Sequence, residues 1–231
     1  DFGASALQVE LHRIGKERIA FEHIETRLNE DRAYYESRKS TEVSVHITDG
    51  YELGDLSAFS TPGHSPDQIC LKVDDVLFTG DHVLPEITPH PTSKMVLKKQ
   101  FQEMFSPEII DSKRLYGLGV YLKSLARISA LGRKIIVLPA HRLYNRDRYN
   151  SIGVDRAGDI TDHHKRRLTR LVDSVTKGES NLEDLTEGIF SRSKLLGVNL
   201  MAAISEVVAH LEFLEDTGDI LVTADGHITR V

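Results

Sequence analysis

The stretch Ser60-Thr61-Pro62-Gly63-His64-Ser65 says most about the fold, and Thr79-Gly80-Asp81-His82 follows it closely. Each stretch places a potential metal ligand, His64 or Asp81, on a turn directly after a short apolar run typical of a strand. A third stretch, Leu138-Pro139-Ala140-His141, repeats this arrangement. Metal ligands need rigid supports that face an open cleft. The three stretches therefore predict a metal site built on strand ends.

The residue types in these stretches suit a divalent metal. Neutral imidazoles and a carboxylate are ligands that zinc, manganese and iron accept. Asp81 has two carboxylate oxygens and is therefore suited to bridge two ions. Taken alone, each residue has a simpler structural interpretation, because a Gly-Asp pair usually marks a turn. The three residues together, in this order and context, favour the metal site.

The rest of the first 158 residues predicts mixed helices and strands. Helices are expected over 4–15, over 22–40 and over Arg114–Leu131, with Gly132 ending the last. Strand-like apolar runs occur at Val43–Thr48, Leu56–Ser60, Gln68–Val73, Val76–Thr79 and Ile135–Leu138. Asp74-Asp75 is a plausible tight turn, and Pro85–Pro91 is a Pro-rich loop. The alternation indicates an α/β or layered α+β core.

The character of the sequence changes after about residue 158. Three amphipathic segments follow, and the chain then shows a hairpin pattern around Ala224-Asp225-Gly226. Three helices followed by a hairpin is the order of a winged-helix module. We therefore expect two domains, residues 1–158 and residues 159–231.

The sequence resembles the metallo-β-lactamase-fold hydrolase superfamily. Thr61–Ser65 is similar to its third metal motif, Phe78–Asp81 to its fourth and Pro139–His141 to its fifth. The resemblance implies an α+β fold of the αββα sandwich type. It also implies two divalent metal ions, for which zinc is the first expectation and manganese or iron are alternatives. It also implies that His64 binds one metal, Asp81 bridges both and His141 binds the other.

The C-terminal part resembles the winged-helix appendage of one branch of this superfamily, which includes β-lactamase-like protein 2 and glyoxalase-II-like hydrolases. A His-x-x-Arg sequence opens the first appendage helix in that branch, and His164-Lys165-Arg166-Arg167 is similar to it. The branch keeps this histidine near the mouth of the site, so His164 is a candidate for substrate binding. The resemblance extends over essentially all 231 residues.

The sequence departs from the superfamily in its first residues. The main metal signature, His-x-His-x-Asp-His, lies upstream of the motifs above, and Asp1-Phe2-Gly3-Ala4 resembles only its tail. We expect either that the first third of the fold is missing or that the signature is altered. The 231 residues by themselves are then expected to be inactive.

The resemblance implies a hydrolase in which metal ions activate water for attack on an ester, thioester or phosphodiester, with Asp81 as the catalytic residue. Two neighbouring metals lower the pKa of water enough to need no serine or cysteine nucleophile. The alternative is a catalytically degenerate relative that keeps the fold for binding or assembly.

A basic segment at the edge of the predicted site points to an anionic substrate. From Arg133 to Arg170 there are ten Lys/Arg and four acidic residues. Arg142 follows His141 directly and is a candidate for binding a small molecule that carries a phosphate, coenzyme A or glutathione group. The competing interpretation is that this segment forms a solvent-exposed basic face whose charge offsets that of acidic helices elsewhere in the chain.

Charge and composition argue against other classes of function. The net charge is −6, and residues 160–231 contain eight Lys/Arg and twelve Asp/Glu, which disfavours DNA binding by the winged helix. We expect this module to cover the site or to form a homodimer. No apolar run is long enough to span a bilayer, so no membrane segment is expected. The single cysteine, Cys70, cannot form an internal disulfide and suits the cytoplasm.

Overall fold

The computed structural model describes residues 6–7, 9–10, 13–14, 37, 42–93, 115–176, 181–191, 195 and 198–231. The described residues within the predicted helix 4–15 are helical, and Leu7 and Ile14 are buried. The predicted helix over 22–40 lies outside the described residues except at Ser37, which is helical. No helix in the described ranges is long and apolar enough to cross a membrane.

A six-stranded mixed sheet forms the centre of the N-terminal part. Its strands are β1 (Glu52–Leu53), β2 (Leu56–Ser60), β3 (Ile69–Val73), β4 (Val76–Gly80), β5 (Ile136–Pro139) and β8 (Ile152–Gly153), in the order β1-β2-β3-β4-β5-β8. Between β5 and β8 lies a small hairpin of β6 (Tyr144–Asn145) and β7 (Arg148–Tyr149). The strands β9 (Ile220–Val222) and β10 (Ile228–Arg230) form a separate antiparallel pair near the C-terminus.

The pairing of the strands determines where the predicted ligands can meet. β3 is antiparallel to both β2 and β4, and β4 is parallel to β5. The strands β2, β4 and β5 therefore run in the same direction. Their carboxyl ends lie at one edge of the sheet, so His64, Asp81 and His141 follow strands that all end at this edge.

The described ranges contain four longer helices: α1 (Leu118–Ser129), α2 (Asp155–Thr176), α3 (Leu182–Ile189) and α4 (Val198–Thr217). Residues of the sheet and α1, including Cys70, Leu77 and Leu125, are buried in one apolar cluster. A second cluster joins α2, α3, α4 and the β9–β10 pair. Burial of these apolar faces is the main source of their stability, because short helices are marginal alone.

Helix α2 contributes to both apolar clusters. Ala157 and Ile160 near its start pack in the first cluster, and Leu171 and Val175 pack in the second. The predicted domain boundary after residue 158 falls within this helix. The described C-terminal part has three helices followed by two paired strands, in the expected order.

Most predicted strands are present within a residue or two, but the strand expected at Val43–Thr48 is not. Residues 42–50 contain no strand, and Val43, Val45 and Ile47 are 44–61% exposed. An alternating pattern forms a strand only where a neighbour pairs with it. β1 is the edge strand here and is two residues long, so it offers little for residues 43–48 to pair with.

Candidate metal centre

Two of the three predicted ligands lie side by side at the sheet edge. Asp81 directly follows β4, and His141 comes two residues after the end of β5. The Ala140 N–H donates to the Gly80 carbonyl at 2.9 Å and ties the two strand ends together. Asp81 Oδ1 lies 3.2 Å from His141 Nε2. The parallel pairing of β4 with β5 thus brings the carboxylate and the imidazole into one site.

The Asp81–His141 pair has the chemistry and spacing of two ligands of one metal ion. Asp81 Oδ1 is buried and has no hydrogen-bond partner among the described residues. A buried carboxylate oxygen without a hydrogen bond is costly unless a cation satisfies it. Two ligands each about 2.0–2.2 Å from a tetrahedral zinc lie about 3.3 Å apart. These residues therefore fit a divalent metal.

His64 has its ring prepared for metal binding in a different way. His64 Nδ1 lies 2.8 Å from the His90 carbonyl oxygen. Because that oxygen can only accept, Nδ1 carries the proton and Nε2 keeps its lone pair. Metal-binding histidines commonly donate their other ring N–H to a carbonyl or a carboxylate. The ring of His90 packs edge-on against that of His64, with the ring centroids 5.4 Å apart.

The loop that carries His64 is held against helix α1. Gly63 has φ +126°, and a Cβ at this position would lie 2.4 Å from Tyr121 Cα. Only glycine allows so close an approach. Thr92 donates its N–H to the Gly63 carbonyl at 2.7 Å and its hydroxyl to the His64 carbonyl. The position of His64 is thereby fixed by helix α1 and by Thr92, which directly follows the Pro-rich loop.

His64 does not join Asp81 and His141 in one compact group. Within the described ranges, one trio of potential ligands has all its ligand atoms within 4.8 Å of one another, and it is a different one. In a two-metal site the ions lie about 3.5–4 Å apart. The structure therefore brings Asp81 and His141 together, and the assignment of His64 to a second ion stays a prediction.

Buried aromatic groups lie beneath the sheet edge. His82 is fully buried, and burial, reinforced by the nearby His64, lowers its pKa to about 3. The Tyr121 hydroxyl donates to the His82 carbonyl at 2.7 Å, and the two rings meet edge-on at 4.9 Å. Burial raises the pKa of Tyr121. This floor is uncharged at neutral pH, which strengthens electrostatic interactions above it.

Arg142 lies beside the candidate centre. It follows His141 and has φ +61°, and its guanidinium donates to Glu86 Oε2 at 3.0 Å. Glu86 belongs to the loop that follows Asp81, and Asn145 Nδ2 also donates to it, at 2.7 Å. The Arg142 hydrogen bond is the main cause that lowers the pKa of Glu86. Glu86 is thus a site neighbour that the sequence patterns did not identify.

The fold matches solved structures. A beta-lactamase domain protein from Burkholderia ambifaria is 22% identical with a TM-score of 0.62, over 84% of this chain and 54% of that chain. A metallo-beta-lactamase family protein from Thermus thermophilus is 22% identical with a TM-score of 0.59, over 95% of this chain and 68% of that chain. The chain has the metallo-β-lactamase fold.

The matches cover only part of the two solved proteins. The chain spans about half the length of the Burkholderia protein and about two thirds of the Thermus protein. No protein-family model and no curated protein matches the chain. Because one fold hosts many reactions, the metallo-β-lactamase fold identifies the architecture and not the substrate. The predicted metallo-β-lactamase fold is confirmed, whereas the winged helix and the two-sheet sandwich remain expectations.

A second cluster of potential ligands in this metallo-β-lactamase-fold chain lies between α2 and α4. It consists of His164, Glu206 and His210. His164 Nδ1 lies 3.0 Å from His210 Nε2, and His210 Nδ1 donates to the Glu206 carbonyl at 2.6 Å. Arg167 forms an ion pair with the Glu206 carboxylate, and both side chains are nearly buried. The guanidinium already neutralises the carboxylate that a metal would need.

The structure places His164 inside the protein. It is 0% exposed, and burial lowers its pKa to about 2, with contributions from His210 and Arg167. Burial likewise holds the pKa of His210 well below its ordinary value. Both imidazoles are therefore neutral at pH 7, and His164 offers no surface to a substrate in this arrangement.

These two histidines predict an acid-sensitive fold. Their folded pKa values lie below the ordinary 6.5, so their contribution is complete above about pH 6.5 and is lost as the pH falls toward the folded values. Each histidine removes about 1.4 kcal/mol of stability per pH unit in this window. Urea unfolding between pH 6.5 and pH 4 measures how steeply the free energy of unfolding falls as the pH is lowered.

In a His164→Leu/His210→Leu variant, the dependence of the free energy of unfolding on pH should decrease by the equivalent of about two bound protons. His46→Leu, at an exposed position outside the cluster, provides the control and should keep the wild-type slope. An unchanged slope in the double variant would show that the pair does not titrate as described.

Proposed function

We propose that this protein is a metal-dependent hydrolase that uses metal-activated water to cleave an ester, thioester or phosphodiester of an anionic substrate. One observation carries the proposal. Asp81 Oδ1 and His141 Nε2 lie 3.2 Å apart at a sheet edge, and the oxygen has no hydrogen-bond partner among the described residues. A half-buried carboxylate whose inner oxygen faces an imidazole in this way suits a divalent cation.

In this proposal each candidate ligand has a different role. His64, through Nε2, and His141, through Nε2, would each hold one ion, and Asp81 would contribute to both. Two zinc ions, or manganese or iron, would supply a water that loses its proton near pH 7 and a charge that stabilises the developing oxyanion. The His64 Nδ1–H bond to the His90 carbonyl would keep the ring oriented.

The surroundings of the site support an anionic substrate. Arg142 follows His141 and is 41% exposed at its side chain, so its guanidinium can reach solvent while one N–H donates to Glu86. A guanidinium has five donors, which leaves others for a carboxylate or phosphate. Arg142 would orient the substrate anion beside the metal ions.

The C-terminal residues 159–231 would serve as a winged-helix appendage that covers the site or joins two copies of the chain. The order of α2, α3, α4 and the β9–β10 pair supports this proposal. The net charge of −4 over residues 160–231 opposes contact with a phosphate backbone.

Metal content and turnover of the natural protein test the proposal together. We expect about two equivalents of a transition metal per chain and turnover of at least one member of a panel of esters, thioesters and phosphodiesters. The panel is assayed with zinc and with manganese. A protein that holds no metal at stoichiometric level and turns over nothing would instead support the non-catalytic alternative.

A further inference from the structure

The Pro-rich loop Pro85–Pro91 connects the Asp81 side of the candidate metal centre to its His64 side. Three of its residues are prolines, which have no backbone N–H. Among the described residues, no backbone-to-backbone hydrogen bond involves positions 84–91. Regular strand or helix pairing therefore does not hold this loop, and the side chains that reach its carbonyl groups fix its conformation.

Arg156, in the first turn of α2, supplies two of these contacts. Its Nε–H donates to the Leu84 carbonyl at 2.8 Å, and Nη2 donates to the Ile87 carbonyl at 3.1 Å. Asp159 lies 3.9 Å from the other terminal nitrogen and is 71% exposed at its side chain, so this ion pair contributes little. Because a guanidinium is planar and presents its donors in a fixed arrangement, Arg156 holds two carbonyls three residues apart in one geometry.

The segment held by Arg156 contains Glu86, which fastens the loop from a second direction. The Glu86 carboxylate accepts hydrogen bonds from Arg142 at 3.0 Å and from Asn145 at 2.7 Å, and both donors follow β5. The loop is therefore held between helix α2 and the chain that leaves the sheet after His141.

The end of the same loop orients His64. The His90 carbonyl, three residues after Ile87, accepts from His64 Nδ1 at 2.8 Å. In a neutral imidazole, the hydrogen bond made by one nitrogen decides which of the two carries the proton. Displacement of this carbonyl would release Nδ1, and the proton could then occupy Nε2, the atom through which His64 would bind a metal. The position of the loop therefore bears directly on the ligand state of His64.

We propose that Arg156 is a positioning residue of the candidate metal centre. By holding the Leu84 and Ile87 carbonyls, it places the His90 carbonyl so that His64 keeps its proton on Nδ1 and its lone pair on Nε2. The inference rests on the proposed function, since it uses the metal-binding role that His64 has there. It also makes α2 a support of the site, because both hydrogen bonds come from the first turn of this helix.

Nitrogen NMR of the isotope-labelled, metal-free natural protein tests the inference through the tautomer of His64. At about pH 8 an ordinary imidazole is neutral, and His64→Gln assigns the signal. We expect the proton on Nδ1 in the unchanged protein. Arg156→Met keeps most of the apolar stem and removes every donor, so it should lower the Nδ1–H fraction and raise the Nε2–H fraction. An unchanged tautomer in this variant would overturn the inference.

Zinc affinity provides a second readout. Competition with a chelator should show that Arg156→Met binds zinc about tenfold more weakly, the lower end of the effect of removing a ligand's hydrogen-bond partner. Arg156→Lys should bind zinc as weakly, because one ammonium group does not reproduce a rigid pair of donors. Full recovery in Arg156→Lys would show that the site needs positive charge and not a positioned loop, and would overturn the inference. This variant also serves if Arg156→Met does not fold.

Arg170 provides a matched control on the same helix. Its Nη2 donates to the Gly188 and Ile189 carbonyls at 2.9 Å and 3.3 Å, at the end of α3 and outside the Pro-rich loop. Arg170→Met should lower the stability in urea about as much as Arg156→Met and leave both the His64 tautomer and the zinc affinity unchanged. Equal effects of the two substitutions on zinc affinity would assign the loss to stability alone and contradict the positioning role.

The two readouts together separate this inference from the proposed function. Zinc binding and turnover of the ester, thioester and phosphodiester panel, with an unchanged His64 tautomer in Arg156→Met, would refute the inference alone. A tautomer shift in that variant, in a protein that holds no zinc and hydrolyses no member of the panel, would refute the proposed function alone, because the loop would still position the ring.

Discussion

Asp81→Asn is expected to lower the metal-dependent kcat/KM of the natural protein by about three orders of magnitude. The amide has the size of the carboxylate but no negative charge, and only one of its two polar atoms can bind a cation. Asp81 Oδ1 is buried and faces His141 Nε2 at 3.2 Å, so the loss of charge falls where a metal would lie. Metal analysis should show a loss of at least one equivalent per chain.

A matched substitution separates this effect from a general effect of charge. Asp75 is exposed and lies in the turn between β3 and β4, at the opposite end of β4 from Asp81. Asp75→Asn should therefore retain both metal and activity. His64→Ala should resemble Asp81→Asn and leave the fold largely intact. Full activity and full metal content in Asp81→Asn would show that the assignment of the site is wrong.

Glu206→Gln is expected to destabilise the protein by about 3–5 kcal/mol, measured by urea unfolding. Arg167 and Glu206 are 11% and 12% exposed at their side chains, and they connect α2 to α4. Removing one charge leaves the other nearly buried without compensation, and burial already lowers the pKa of Arg167 to about 10. Arg167→Met/Glu206→Gln should recover most of the loss, because neither charge then remains.

An exposed ion pair on the same helix provides the comparison. Lys165 and Asp162 lie 3.7 Å apart with both side chains about two-thirds exposed. Asp162→Asn should cost at most about 1 kcal/mol, as exposed pairs usually do. Chelators should leave the cost of Glu206→Gln unchanged, since Arg167 and not an ion neutralises the carboxylate. A chelator-dependent cost, or equal costs at both pairs, would contradict this description.

Local sequence patterns were sufficient for the elements that carry the site. In the segments around His64, Asp81 and His141, an apolar run is followed at once by glycine or proline, and these residues end strands through their own backbone preferences. The hairpin turn at Asp74-Asp75 and the helix that ends before Gly132 have similarly local causes. The candidate ligands could therefore be placed on strand ends before their neighbours were known.

Contacts between distant residues could not be read in the same way. The strand expected at Val43–Thr48 has the right alternation, but whether it pairs depends on a neighbour that the pattern does not specify. His164 resembled a residue at the mouth of the site, yet the packing of α2 on α4 buries it against His210. Glu86 acquires its role only because two segments more than fifty residues apart meet beside β5.

The sequence by itself therefore determined that each candidate ligand follows a strand, because apolar runs and turn residues act over a few positions. Only the tertiary structure decided that these strand ends share one edge, that Asp81 faces His141 and that Arg167 neutralises Glu206. These relations follow from strand order and helix packing, which depend on burial of apolar surface across the whole chain.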